Sequence, residues 1–240
     1  MIRQIACLSL AVIPLGGCTF SPSPPTCVVG QGGGSGGWFA KYTLLPSQPG
    51  GSCSQLRGEG LGIRKYYPPG SSPQVAIGTD TLGNLALQTP PDPDPSHSPV
   101  SIGALTQSTP DANNFCAVPT LSKAEQNVGG VDIAYEWRDV KFVVLSDVPG
   151  TQMSATLRYT DPGCTAEYKA VALQPNADCF AIDASGSPVL DPSGNQIPDD
   201  SRCGSGFYPQ GQVNPDFAVM CDPVVFKCVL TKDPPSLIGR

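Results

Sequence analysis

The alternation of hydrophobic and polar residues is most regular between residues 131 and 173. Over residues 131–138, apolar side chains stand at every second position, which is the period of a strand with one buried face. The alternation slips by one position at Asp139, so we expect a β-bulge there. Turn signals at 149–150 and 161–163 mark the starts of two more strands. This segment therefore predicts an antiparallel meander of three long strands.

Shorter strands are predicted on both sides of this meander. They are residues 39–45, 60–67, 74–77, 82–87, 217–220 and 224–230. Ser122 and Glu125 have capping-box spacing and predict a short helix that ends at Gly129. The proline-rich stretch 88–99 cannot donate a regular ladder of hydrogen bonds and is expected to be a loop. The whole pattern predicts a mainly β fold, with an antiparallel sheet of sandwich or barrel-like shape and long Pro- and Gly-rich loops.

Composition narrows the class of protein. The 240 residues include 27 Gly and 27 Pro, and only 14% are charged, which excludes coiled coils and long helical bundles. With 14 Lys+Arg against 20 Asp+Glu, the formal net charge is −6, and the basic residues are dispersed. Binding to nucleic acid and electrostatic attraction to anionic lipid both depend on clustered Lys and Arg, so both are disfavoured.

The N-terminus has the pattern of an export signal. Residues 1–4 carry one positive charge, and residues 5–15 form an apolar run. That run is too short to span about 30 Å of hydrocarbon as a helix and is typical of a signal peptide. The sequence Leu15-Gly16-Gly17-Cys18 comes next, and it resembles the lipobox of bacterial lipoproteins. The alternative is an ordinary signal peptide that ends near a cysteine.

The lipobox resemblance implies cleavage before Cys18, a diacylglycerol on its thiol and an acyl group on its amine. Thr19 stands where an Asp would retain such a protein at the inner membrane, so the resemblance implies the outer membrane of a bacterial envelope. The chain resembles cysteine-containing envelope lipoproteins, a resemblance that implies no particular activity. We therefore predict association with the membrane through the lipid anchor, and a protein or glycan partner is left open.

These signals divide the chain into four segments. We predict a signal peptide over 1–17, a lipidated cysteine and flexible tether over 18–37, a disulfide-containing mainly β domain over 38–232, and a C-terminal tail over 233–240. No stretch after the signal peptide approaches 18 consecutive apolar residues, so we expect no further membrane span.

The cysteines indicate an oxidising compartment. Of ten, Cys7 leaves with the signal peptide and Cys18 is lipidated, so eight remain. They are Cys27, Cys53, Cys116, Cys164, Cys179, Cys203, Cys221 and Cys228. An even number in an exported chain predicts four disulfides, and we suggest Cys27–Cys53 and Cys164–Cys179 as two of them. The alternative is a metal–thiolate site, which the absence of C-x-x-C spacing disfavours.

A short repeat lies between the last two predicted strands and the meander. Residues 183–190 and 191–198 both begin with Asp, and the second unit resembles the calcium-binding loops of thrombospondin type 3 repeats. The resemblance implies calcium ligands, which are Asp191, Ser193, Asn195, the Ile197 carbonyl and Asp199. Ser193 and Asn195 replace two family aspartates, and Gln196 replaces a glycine. The alternative is a loop that uses Asp, Ser, Gly and Asn for turn chemistry.

Catalytic motifs are scarce in this sequence. His97, the single histidine, lies in the proline-rich stretch, and paired cysteines offer no thiolate nucleophile. Glu136, Asp139 and Glu167 are acids on or near strands, but any acidic chain supplies such candidates. We predict a non-catalytic binding or structural role in the envelope without a cofactor. The alternatives are an extracellular hydrolase that uses paired carboxylates and a calcium-dependent adhesion module.

Overall fold

The computed structural model describes residues 25–33, 37–204 and 213–239, so the predicted signal peptide and Cys18 lie outside the described residues. The strands are β1 Trp38–Leu44, β2 Gly58–Tyr66, β3 Gln74–Thr79, β4 Val100–Ala104, β5 Phe115–Thr120, β6 Ala124–Val128, β7 Val131–Val144, β8 Pro149–Asp161, β9 Cys164–Leu173, β10 Val219–Asp222 and β11 Lys227–Leu230. The helix α1 spans Asp80–Ala86, and 3₁₀ helices span Ser52–Ser54 and Asp200–Cys203. Within the described residues, no helix has the length and apolarity needed to cross a membrane. The predicted mainly β fold is confirmed.

Strands β1–β9 form one antiparallel sheet, which we call the main sheet. Its order is β4-β3-β2-β1-β9-β8-β7-β5, and β6 also pairs with β7. The two edges of the sheet approach each other. Thr106 N donates to Ala117 O at 2.9 Å, and Ser122 N donates to Ile102 O at 2.8 Å. The main sheet therefore curls into a barrel-like shape.

Alternate residues of each strand fill the inside of the main sheet. Trp38, Leu157 and Tyr168 are fully buried there. The predicted bulge in β7 is present, because the register with β8 shifts after Arg138 and Asp139 has a φ of 53°. The extra residue restores the inward face for the rest of β7, so its apolar side chains remain inside the sheet.

The structure corrects the strand predicted over residues 82–87, where α1 lies instead. The Thr79 hydroxyl accepts a hydrogen bond from Leu82 N at 3.2 Å and so caps the helix. Leu82 and Leu85 stand three positions apart and both pack against the interior of the main sheet. A short apolar run has the same pattern in a strand and in a helix, so the pattern alone could not distinguish them. The capping residue Thr79 was the feature that indicated a helix.

The helix predicted to start at Ser122 is wrong, because this segment leads into strand β6. β6 pairs with residues 131–135 of β7, and its residues alternate between buried and partly buried. The Ser122 hydroxyl accepts a hydrogen bond from Ile102 N at 2.9 Å instead of capping a helix. Pairing with a long neighbouring strand therefore overrides the local capping signal.

The C-terminal module, residues 174–204 and 213–239, lies against the outer face of the main sheet. Its hairpin of β10 and β11 is short, and its core combines Phe217 and Leu237 with Val143 and Leu173 of the main sheet. Gln152 of β8 and Ser236 exchange two hydrogen bonds, of 2.7 Å and 3.1 Å, and both residues are fully buried. Residues 233–239, which the sequence assigns to a tail, are therefore packed against the sheet.

Residues 25–33, which the sequence assigns to the flexible tether, also pack on the main sheet. Cys27 and Val29 are buried, and Trp38 Nε1 donates to Gly30 O at 3.0 Å. Gly32 and Ile63 exchange backbone hydrogen bonds of 3.0 Å and 3.2 Å. This part of the predicted tether therefore belongs to the folded body.

Candidate functional site

The cysteines that the sequence assigns to disulfides form four pairs, which confirms that number. The pairs are Cys27–Cys116, Cys53–Cys164, Cys179–Cys221 and Cys203–Cys228, with Cα–Cα distances of 5.5–5.8 Å. The suggested pairs Cys27–Cys53 and Cys164–Cys179 are wrong. The order of strands in the main sheet and its curled shape bring together cysteines that are 89 and 111 positions apart, so nearness in sequence was misleading.

The other two disulfides lie together in the C-terminal module. The Sγ atoms of Cys179, Cys203 and Cys228 are within 4.8 Å of one another. All three belong to disulfides, so they do not offer thiolates to a metal. This pair of disulfides braces the segment that carries the short Asp repeat.

The Asp repeat forms a ring of three short segments, which we call the three-turn ring (residues 179–201). Ala181, Val189 and Ile197 are eight positions apart and are joined by backbone hydrogen bonds. Ala181 N donates to Ile197 O at 2.8 Å, Val189 N to Ala181 O at 2.8 Å, and Ile197 N to Val189 O at 3.3 Å. The eight-residue period of the sequence thus becomes a cyclic set of hydrogen bonds between the segments.

An Asp side chain organises each turn of the ring. Asp183 Oδ1 accepts from Ser185 N at 2.8 Å and from Ser187 N at 3.0 Å. Asp191 Oδ1 accepts in the same way from the amides two and four positions later, at 2.8 Å and 2.9 Å. The hydrogen bond from the Ser185 hydroxyl is the main cause that lowers the pKa of Asp183. The hydrogen bond from the backbone N–H of Asn195 lowers the pKa of Asp191. Both carboxylates are therefore bound in their charged form by local turn donors.

The structure brings the predicted calcium ligands into this one ring, where the oxygens of Asp191, Ile197 and Asp199 already accept hydrogen bonds. The amide group of Asn195 donates to Asp191 Oδ2 at 3.3 Å, and the Ile197 carbonyl accepts from Ala181. Asp199 Oδ1 accepts from Ser201 N at 3.0 Å, and the Ser193 amide is the donor to Asp191. Calcium binding stays a prediction, and a bound ion would have to share these oxygens with the turns.

The acids considered for hydrolysis lie on the outer face of the main sheet. Glu136 pairs with Arg158 at 2.9 Å, and Glu167 pairs with Arg138. Both carboxylates are more than a third exposed. Asp139 is the residue of the β7 bulge. The structure thus gives Glu136 and Glu167 arginine partners on an open surface.

A buried polar cluster around Glu59 was missed by the sequence reasoning. Glu59 accepts hydrogen bonds from Tyr135 Oη at 2.7 Å, Thr81 N at 2.9 Å and Tyr42 Oη at 3.2 Å. Burial raises the pKa of Glu59, and these hydrogen bonds oppose the rise. The cluster ties the first turn of α1 to three strands. Its sequence signal was the period of two, which puts Glu59 on the inward face of β2 with Leu61 and Ile63.

Comparison with known proteins identifies the family. The family model MlpA matches residues 36–175, which is more than half of the chain and spans the main sheet. "Putative lipoprotein MlpA" from Myxococcus xanthus is 29% identical over 239 aligned residues, covering 93% of this chain and 92% of the relative. No solved structure matches. The chain belongs to the MlpA family, and its resemblance to bacterial lipoproteins is confirmed.

Proposed function

We propose that this protein is exported, cleaved before Cys18 and held at the outer membrane by acyl chains on that cysteine. Its body would then serve a non-catalytic binding or structural role in the envelope. The observation that carries this proposal is the lipobox Leu15-Gly16-Gly17-Cys18 at the start of a chain from a lipoprotein family. Two or more acyl chains on one residue would make release from the membrane slow.

The position of Cys27 supports a body that lies close to the bilayer. Cys27 is fixed to β5 through Cys116, and only nine positions separate it from Cys18. An extended chain covers about 3.3–3.6 Å per residue, so the part of the folded body around Cys27 would stay within about 30 Å of the anchor. This short reach favours a role at the membrane surface over one deep in the periplasm.

The described chemistry supports a binding or structural role more than a catalytic one. Glu136 and Glu167 have arginine partners, and the described cysteines are in disulfides. The three-turn ring, in contrast, exposes apolar side chains on a braced scaffold. Leu190 is 54% exposed, and Ile182 and Ile197 are 38% and 37% exposed. Exposed apolar side chains on a disulfide-braced segment suit a protein partner.

Replacing the lipidated residue tests the anchor. In Cys18→Ser, we expect either an uncleaved precursor or a body released from the membrane fraction, because the acyl chains are lost. The measurement is immunoblotting of washed membranes and soluble fractions. Recovery of mature Cys18→Ser protein in the pellet after a high-salt wash would contradict the proposal.

A matched variant tests the choice of membrane. Thr19→Asp keeps the lipid and introduces the residue that retains lipoproteins at the inner membrane. We expect this variant to move from the outer-membrane to the inner-membrane fraction on a density gradient. An unchanged distribution would contradict outer-membrane sorting while leaving lipidation at Cys18 intact.

A further inference from the structure

The proline-rich loop, residues 88–99, covers the free edge of strand β6. β6 pairs with β7 on one side only. On its other side, Glu125 N donates to Ser98 O at 2.8 Å, and Asn127 N donates to Asp92 Oδ2 at 2.5 Å. The loop therefore occupies the place of a neighbouring strand and covers amides that would otherwise form an exposed sheet edge.

His97 lies where this loop meets β6, with carboxylates on both sides of its ring. Nδ1 is 2.9 Å from Asp92 Oδ2, and Nε2 is 3.5 Å from Asp94 Oδ2 and 3.8 Å from Glu125 Oε1. A carboxylate can only accept hydrogen bonds, and a neutral imidazole has one N–H. Only the doubly protonated ring can therefore present a donor to both sides.

The surroundings hold these carboxylates in place. The Asp92 side chain is only 6% exposed, and its Oδ1 accepts from Asp94 N at 2.9 Å. Asp94 Oδ1 accepts from Ser96 N at 2.8 Å, and Glu125 also pairs with Lys123. These three acids and one lysine carry a net charge of −2, so a proton on His97 reduces the local negative charge.

We propose that His97 is a pH-operated clasp, which fastens the proline-rich loop to the edge of β6 when protonated and releases it as the pH rises. In the closed state the imidazolium joins Asp92 and Asp94 of the loop to Glu125 of β6. In the open state the neutral imidazole has one N–H, so one ring nitrogen has no proton to donate to the carboxylate that it faces. The loop then loosens, and the Glu125 and Asn127 amides become accessible.

The direction of the titration agrees with this geometry. The hydrogen bond with Asp92 raises the pKa of His97, and partial desolvation opposes the rise. Desolvation raises the pKa of Asp92, but hydrogen bonds from the Asn127 and Asp94 amides and from His97 outweigh it, so that pKa lies below its ordinary value. The contribution of His97 is thus complete below its unfolded pKa of about 6.5 and is lost as the pH rises through the higher folded value. The lowered pKa values of Asp92 and Asp94 contribute fully above about pH 4, so the clasp is tightest between these limits.

The experiment uses the mature protein in detergent. Because His97 is the only histidine, its proton resonance can be followed by NMR without assignment. We expect its midpoint to lie above about 6.5. Hydrogen exchange of residues 88–99 and 123–128, corrected for the intrinsic pH dependence, should lose protection across the same midpoint. The protection of peptides from β8 and β9 should not change.

Three substitutions make the test decisive. His97→Gln should remove the pH dependence of protection in residues 123–128, and Asp92→Asn should lower the midpoint more than Asp94→Asn, whose carboxylate is more exposed and farther from the ring. A wild-type midpoint at or below about 6.5 would overturn the proposal. Unchanged protection of residues 123–128 across the midpoint would also overturn it.

Discussion

The main sheet and the C-terminal module use different means to fix their chains. Strands of the main sheet reach 14 residues, whereas β10 and β11 have four residues each. The main sheet surrounds an apolar interior with large side chains such as Trp38 and Trp137, whereas the core of the module is built around its cystines and borrows Val143 and Leu173 from the sheet. The sheet supplies one wall of the core of the module.

The disulfides have correspondingly different roles in the two parts. Cys27–Cys116 and Cys53–Cys164 fasten peripheral segments onto a sheet that has its own core. In the module, the four cysteines of Cys179–Cys221 and Cys203–Cys228 make up a large part of a much smaller core. A small core rarely supplies enough stability without such cross-links. The comparison therefore indicates that the module depends on its disulfides and on the sheet, while the sheet depends on neither module disulfide.

The largest expected effects come from removing disulfides, and the two parts of the molecule should differ in where the effect appears. Cys203 and Cys228 are 25 positions apart, so their bond stabilises by about 3.5 kcal/mol in the chain-entropy model. In the double variant Cys203→Ala/Cys228→Ala, we expect residues 174–204 and 213–239 to lose protection from hydrogen exchange while β7–β9 keep theirs. Cys53→Ala/Cys164→Ala is the matched control, and it should lower the global melting temperature without selective loss in the module. Equal loss of protection in β7–β9 and the module after the first substitution would show that the two parts unfold as one.

The same contrast explains what could be predicted from the sequence. Over residues 131–173, the period of two directly reflects which side chains are inside, so β7–β9 and the bulge at Asp139 were predicted. β4 and β5 are short, and their patterns mislead. In β4 the alternation is inverted, since Ser101 is buried and Ile102 is exposed, and β5 begins with four consecutive apolar residues. Both strands lie where the sheet closes. Local patterns carry no information about that closure.

The candidate sites were harder to predict because their partners are distant in sequence. The pair Cys53–Cys164, for example, follows from the order of strands, in which β1 lies beside β9. The surroundings of His97 follow from a loop lying on β6, which no spacing rule indicates. The turns at Asp183 and Asp191 were readable as turn chemistry because their hydrogen bonds span only two to four positions.

A smaller effect is expected at the junction between the two parts. Gln152→Ala would leave the backbone N of Ser236 without a partner in a buried position, while Ser236 O would keep its hydrogen bond from Ala218 N. An unsatisfied buried group costs about 1–3 kcal/mol, so we expect residues 213–239 to be destabilised by roughly 2 kcal/mol. Gln55→Ala, at an exposed glutamine, is the control and should change stability by less than about 0.5 kcal/mol. Denaturant unfolding measures both variants, and equal values would mean that this junction does not hold the module to the sheet.

The smallest expected effect separates two turns of the same geometry within the module. Asp183 and Asp191 make matching hydrogen bonds, but only the loop from Asp191 to Asp199 resembles a calcium-binding sequence. With few acids, we expect a Kd of about 10⁻³ M, so about 10 mM calcium should raise the melting temperature by a few degrees. Asp191→Ala and Asp183→Ala should lower the melting temperature similarly in chelator, since each loses one turn. Calcium should then still stabilise Asp183→Ala but not Asp191→Ala. If the wild-type protein melts at the same temperature in calcium and in chelator, neither loop binds calcium and both are only turns.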